Sequence, residues 1–181
     1  ATRDPHADMI TLARQHGVQE QFVGLMTAVF LDNAKASTCS DGGLRVATVA
    51  TVGLGNRVAA GLAEPIPLSP GTINLIVLVD AHLTPAAMVN AAMTLTEAKS
   101  QVLSSCGLRT EEGYAATGTS TDALVVACTG RGPALPYAGL IALGGTLGFY
   151  ELGRLAEGLV ARLPAPLRWT VEATLLKTTF S

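Results

Sequence analysis

Between residues 70 and 122 the chain carries a set of polar groups whose arrangement packing alone does not ask for and which is suited to a ligand or reaction site. They are Asn74, Asp80, Asn90, Glu97, Lys99, Thr117, Thr119, Thr121 and Asp122, each beside or inside an otherwise apolar segment. Hydroxyls and carboxylates so placed can hydrogen-bond a polar ligand, place a threonine nucleophile or orient a water. Thr117-Gly-Thr-Ser-Thr-Asp122 packs four hydroxyls and a carboxylate into one short loop. Such a loop either binds a polar ligand or closes on its own backbone.

Two of these positions stand out on physical grounds. Asp80 directly follows an apolar run, where a strand would end. Ligands in open α/β sheets gather at carboxyl ends of strands, which marks Asp80 as a ligand contact or a turn residue. Asn74 enters the same strand, and a buried amide there needs partners.

Lys99 stands out by projection. At 100° per residue, the segment after Thr84 places Met88, Ala92, Leu95, Val102, Leu103 and Cys106 on one stripe, with Lys99 in its middle. A lysine there either snorkels to water or finds a partner, because an unpaired buried ammonium is costly. Asn90, Thr94, Glu97 and Gln101 form the opposite polar line. Glu97 and Lys99 are two residues apart, so they cannot face each other on a regular helix.

The elements that must position these groups follow from pattern. Residues 9–16 predict a short helix stopped by Gly17. Residues 21–31 fit a strand or a helix by pattern, with the strand favoured and a turn near Asp32-Asn33. Asp41-Gly42-Gly43 is a turn signal leading into a β-branched strand over 45–52. A loop with Pro65, Pro67 and Pro70 precedes the clearest strand, 72–80, whose unbroken apolar centre predicts burial on both faces. Thr84 is suited to cap a helix with Pro85 at its first position, running to Cys106 and stopping at Gly107. Residues 122–129 predict another buried strand and 138–163 a glycine-rich helix, while 169–177 fits a closing strand slightly better than a helix. The pattern predicts one α/β or α+β domain over residues 1–181, a mixed β-sheet packed with helices.

Composition excludes several function classes. Of 181 residues, 49% are apolar and 14% charged, which is globular rather than disordered. The formal charge of −2 without a basic stripe argues against nucleic acid. No apolar run is long enough to span a membrane, and the first residues lack a signal-peptide core. The low charge and 19 glycines suggest tight packing and a large subunit contact, which makes a homo-oligomer an option. Three cysteines (Cys39, Cys106, Cys128) without short spacing read as free thiols in a reducing cytoplasm. His6, His16 and His82 lack metal-ligand spacing, so no intrinsic metal site is expected. Gly53-Leu-Gly-Asn56 is superficially like a dinucleotide loop, but Val58 stands where the third glycine belongs.

Taken together, five segments resemble the adenosylcobinamide amidohydrolase family. They are Val23-Gly-Leu-Met-Thr-Ala28, Ala50-Thr-Val-Gly-Leu-Gly-Asn56, Pro70-Gly-Thr-Ile-Asn74, Thr96-Glu-Ala-Lys99 and Ala116-Thr-Gly-Thr-Ser-Thr-Asp-Ala-Leu-Val-Val-Ala127. The resemblance runs in order from about Val23 to Gly139. It implies hydrolysis of the amide joining a corrin propionyl arm to aminopropanol, giving adenosylcobyric acid. It implies a small-molecule substrate, with cobalt entering only as part of that corrinoid. Amide cleavage needs a base, oxyanion donors and a proton for the departing amine, and the resemblance implies Glu97 or Asp122 as the base, acting on water or a loop hydroxyl, with Lys99 stabilising charge or orienting a carboxylate. It lends support to Glu97, Lys99, Thr119 and Asp122 as catalytic positions, to Thr119, Thr121 and Asn74 as oxyanion or substrate donors, and to Asn56, Asn74, Asp80, Asn90, Thr117 and Thr121 as substrate contacts. Family members usually carry a further N-terminal segment and continue Tyr-Ala-Gly with Thr-His-Thr. Here Leu140-Ile-Ala142 follows Tyr137-Ala-Gly139. That departure defines two alternatives: a diverged member acting on another small-molecule amide or metabolite, and a non-catalytic corrinoid binder.

Overall fold

The computed structural model describes residues 4–41, 43–62 and 71–138. Its centre is a mixed four-stranded sheet with strand order β1-β2-β4-β7. Strand β1 (Lys35–Asp41) and β2 (Leu44–Val52) form a hairpin closed at the Asp41–Leu44 pair, with Gly43 at φ +85° in the turn. A positive φ is what a two-residue hairpin loop demands and what glycine supplies. A short β3 (Arg57–Val58) precedes β4 (Ile73–Val79), which lies antiparallel to β2. After β5 (His82–Leu83), the long helix α2 (Pro85–Ser105) crosses back, followed by β6 (Gly118–Thr119) and β7 (Ala123–Cys128). β7 pairs parallel to β4, with Asn74 opposite Ala123. β3 pairs with β6, and β5 with β8 (Ala134–Leu135).

Helix α2 begins and ends where local chemistry says it should. The Thr84 hydroxyl accepts a hydrogen bond from the Ala87 amide at 3.2 Å, and Pro85 occupies the first turn. At the other end Gly107 adopts φ +65°, its amide donates to Ser104, and the Leu108 amide donates to Leu103. These two bonds satisfy carbonyls that the helix itself leaves open.

The core forms between α2 and one face of the sheet. Side chains alternate along a strand, so Ile73, Leu75, Val77 and Val79 share that face. Val77 and Val79 meet Val46 and the helix residues Ala87, Ala91 and Leu95 in one buried cluster. Ile73 joins Leu54, Leu103, Leu108 and Ala116 in a second. Each buried valine or leucine side chain contributes about 1.5–3 kcal/mol of transfer free energy. The alanines at 87 and 91 let the helix axis come close to the sheet.

Several sequence expectations are corrected here. Residues 21–31 form no strand; a 3-10 turn, Leu31–Asn33, ends the stretch. Phe22, Val23, Met26 and Phe30 are largely exposed, so their hydrophobicity reported no core position. The actual first strand, β1, reads Lys-Ala-Ser-Thr-Cys-Ser-Asp, a polar ribbon held through its backbone by β2, with little hydrophobic signal. The first helix α1 (Pro5–Gln15) starts earlier than predicted, because the Asp4 side chain caps it by accepting from the His6 amide at 3.0 Å. Toward α2, Ile73, Val77 and Val79 of β4 are buried and Leu75 is half-buried, whereas Ile76 and Leu78 on the outer face are half-buried. On α2 the buried line is Ala87, Ala91, Thr94, Leu95, Val102 and Leu103, rotated from the projected stripe. Thr94 tolerates burial because its hydroxyl donates to the Asn90 carbonyl at 3.2 Å. The helix and strand expected over 138–163 and 169–177 lie, beyond Ala138, outside the described residues.

Candidate active site

Asp122 ends the hydroxyl-rich loop one residue before β7. The parallel register of β7 with β4 therefore sets it beside Ile73, at the amino end of both strands. Its Oδ1 accepts from the Ile73 amide and the Thr119 amide, each at 3.1 Å, and from the Thr119 hydroxyl. Its Oδ2 accepts from Lys99 Nζ of α2 in a close ion pair. The two side chains are 17% and 16% exposed, so the pair is mostly removed from water. This answers the question raised by projection: Lys99 does not snorkel, it crosses to a carboxylate 23 residues away.

The surrounding backbone is shaped for this contact. At Gly118 an added Cβ would run into Asp122 Oδ2 and sit 2.8 Å from Lys99 Nζ. Glycine thus admits the pair where any other residue would part it. Ser100, next to Lys99, donates to the Thr117 carbonyl at 3.2 Å and ties the helix to the loop. Thr72 donates to the Thr121 carbonyl at 2.7 Å, and Thr121 donates back to the Gly71 carbonyl at 2.8 Å. Thr117 is similarly committed: its Oγ1 accepts from the Ala60 amide at 2.9 Å. Thr117 and Thr121 therefore spend their hydroxyls on backbone and set the loop's shape.

The ion pair opens on a cavity of about 190 Å³. Among the described residues its apolar wall is Ile73, Leu75, Ala123 and Leu124, and its polar groups are Thr96, Lys99 and Asp122. Thr119 is 6% exposed and is not among the residues lining this cavity, so its hydroxyl serves to hold Asp122. Low-dielectric walls strengthen whatever the ammonium and carboxylate do to a bound polar group.

The remaining candidates are spread over the fold. Glu97 is exposed on α2 and does not line the cavity. Asn74 alternates to the opposite face of the sheet from α2, where its Nδ2 donates to the Met26 carbonyl at 2.8 Å. Asn56 is buried and its Nδ2 donates to Ser120 Oγ at 2.7 Å. The Oδ1 atoms of Asn56 and Asn74 are buried and accept no hydrogen bond among the described residues. Asn90 accepts from the Ala138 amide at 3.1 Å and holds the segment after β8. Asp80 lies beyond the far end of β4 from Asp122, roughly 20 Å along the strand at about 3.3 Å per residue. There it accepts from Thr129 at 2.9 Å and faces Arg45 and Arg131, both at 3.8 Å. The structure thus brings Lys99 and Asp122 together at one cavity and places Asn74, Asp80 and Glu97 away from it. A strand's two ends and a sheet's two faces separate the others. Thr96, three residues before Lys99 on the same helical face, joins the site and was not singled out by residue chemistry; its spacing was the available signal. Among the described residues no three His, Cys, Asp or Glu side chains are grouped as metal ligands. No described helix is long and apolar enough to cross a membrane.

The fold and cavity define an α+β domain with a lysine–aspartate pair under an apolar pocket. A sequence model of the adenosylcobinamide amidohydrolase family matches residues 1–148, and the chain belongs to that family. The match reaches the first residue, further than the stretch from Val23 that its segments implied. The adenosylcobinamide amidohydrolase of Methanosarcina mazei is 33% identical over 136 residues, covering 70% of this chain and 60% of that protein. The enzyme of the same name from Halobacterium salinarum is 33% identical over 122 residues, covering 64% of this chain and 48% of that protein. An uncharacterized protein of Methanocaldococcus jannaschii is 39% identical over 71 residues, 38% of this chain and 28% of that protein. The chain thus aligns with about half to three-fifths of the two named relatives. The sequence after Tyr137-Ala-Gly139, where the family wording changes, lies outside the described residues.

Proposed function

We propose that this chain hydrolyses the amide between the corrin propionyl arm and 1-aminopropan-2-ol in adenosylcobinamide, releasing adenosylcobyric acid in the cytoplasm. Family membership supports the substrate class. The observation that carries the chemistry is the Lys99–Asp122 pair lining a cavity with aliphatic walls. Asp122 Oδ1 is taken up by three donors, so Oδ2, with Lys99 alone, is the position left for a water proton. Water attacks the amide carbon as its proton passes to Oδ2. The Lys99 ammonium stabilises the oxyanion. Collapse breaks the carbon–nitrogen bond, and the proton held on Asp122 goes to the departing amine. The carboxylic acid formed then gives its proton to the amine, so the products are a carboxylate and an ammonium, with one water consumed.

The test is release of 1-aminopropan-2-ol from adenosylcobinamide by the whole chain and by Asp122→Asn. We expect turnover by the parent chain and a fall of about a thousandfold in the variant, the scale for loss of a general base. No turnover by the parent chain rejects the substrate assignment. Undiminished turnover by a folded Asp122→Asn rejects the mechanism.

A further inference from the structure

We propose that Thr96 reads the hydroxyl of the departing amino alcohol and so sets the enzyme's preference for a hydroxylated amide. The inference rests on the amide-cleaving role given to the same cavity. Thr96 lines that cavity with Lys99 and Asp122 and is exposed at its mouth. Its hydroxyl donates its single proton to the Ala92 carbonyl one turn back, at 2.9 Å. A threonine hydroxyl has one donor and two acceptor lone pairs. With the donor committed, Thr96 can only accept, so the ligand group that satisfies it must be a donor.

The cavity's other polar groups complete the template. Lys99 supplies donors and matches a carbonyl oxygen; Asp122 is an acceptor and matches a water or an amine. Thr96 and Lys99 are three residues apart on one helical face and line the same cavity. A ligand that carries both a carbonyl for Lys99 and a hydroxyl for Thr96, such as an N-(2-hydroxypropyl) amide, uses both groups. The walls between are aliphatic and match a short carbon chain. The volume of about 190 Å³ is on the scale of a cavity that takes up one benzene-sized molecule. It admits the amide and its amino alcohol and leaves a macrocycle outside. Specificity at this cavity is therefore for the arm.

The experiment compares two amides and three proteins. The amides are adenosylcobinamide and its analogue carrying propylamine in place of the hydroxypropylamine. The proteins are the parent chain, Thr96→Val, which removes the acceptor at similar volume, and Thr96→Ser, which keeps it. The parent chain should favour the hydroxylated amide in kcat/KM by about fivefold to tenfold, the scale of one neutral hydrogen bond. Thr96→Val should erase the preference and Thr96→Ser should retain it. A purely structural role for Thr96 would slow both amides equally, and that result overturns the proposal, as does a preference that survives in Thr96→Val. In parallel, N-(2-hydroxypropyl)propanamide and N-propylpropanamide are titrated against parent chain and Thr96→Val, with binding followed by NMR. If the parent chain cleaves neither corrinoid amide yet binds the hydroxylated fragment better, and Thr96→Val does not, the hydrolytic reading falls and the Thr96 assignment stands. If turnover occurs but neither kinetics nor binding shows a hydroxyl preference, the hydrolytic reading stands and the Thr96 assignment falls. Absence of both turnover and binding preference overturns both.

Discussion

The two ends of strand β4 carry one carboxylate each, similarly shielded but held in different ways. At the amino end Asp122 is 17% exposed and bound by two backbone amides, a hydroxyl and a close ammonium. At the carboxyl end Asp80 is 19% exposed and takes one hydroxyl plus two arginines at 3.8 Å, themselves 39% and 75% exposed. Asp122 joins a helix, a loop and a strand, and its partner lysine faces a cavity. Asp80 is ringed by long side chains that reach out into solvent. Equal burial therefore does not mean equal consequence: donor number, donor rigidity and an adjoining cavity separate a site from a surface ion cluster. General rules for open α/β sheets favour the carboxyl end for ligands. Here the parallel pair is only two strands wide within a mixed sheet, and the cavity lies at the other end.

The contrast can be broken by mutation. Asp122→Ala should have the largest effect. It strands a mostly buried ammonium and leaves the Ile73 and Thr119 amides without their acceptor, which should cost about 3–5 kcal/mol in urea unfolding, together with all turnover. Lys99→Met, which keeps the stem and removes the charge, should lower kcat by about a hundredfold or more at smaller cost in stability. Gly118→Ala pushes a methyl between the two charged groups; a fall in kcat of about tenfold to a hundredfold with a modest melting change would show that their spacing matters. Asp80→Asn should have the smallest effect, within about 1 kcal/mol, fading further in high salt, with turnover intact. Loss of turnover in Asp80→Asn with retention in Asp122→Asn would invert the comparison and move the site to the other end.

Much of the scaffold was legible from local signals. The cap at Thr84, the proline after it and Gly107 bounded α2 to within a residue. The Asp-Gly-Gly turn marked the β1–β2 hairpin, and the apolar run marked β4. The polar strand β1 was not legible, since an edge ribbon needs no hydrophobic pattern of its own. Phe22, Val23 and Met26 misled for the opposite reason, being apolar without being core. For the site, helix projection identified Lys99 as a residue needing a partner but could not name Asp122. It also grouped Asn90 and Thr94 with the solvent-facing residues, though both turn inward in the fold.

What the sequence determined by itself is the elements with strong local signals, such as α2, β2, β4 and β7, and the family. Caps, turns and apolar runs act over a few residues, and the order of five short segments carries the kinship. The tertiary structure alone decided which polar groups meet. The pairing of Asn74 with Ala123 places Asp122 beside Ile73 and under α2, while alternation sends Asn74 itself to the other face. A slip of one residue in that register would exchange the faces. No local pattern encodes such a register, because it is chosen by packing the whole sheet against the helix.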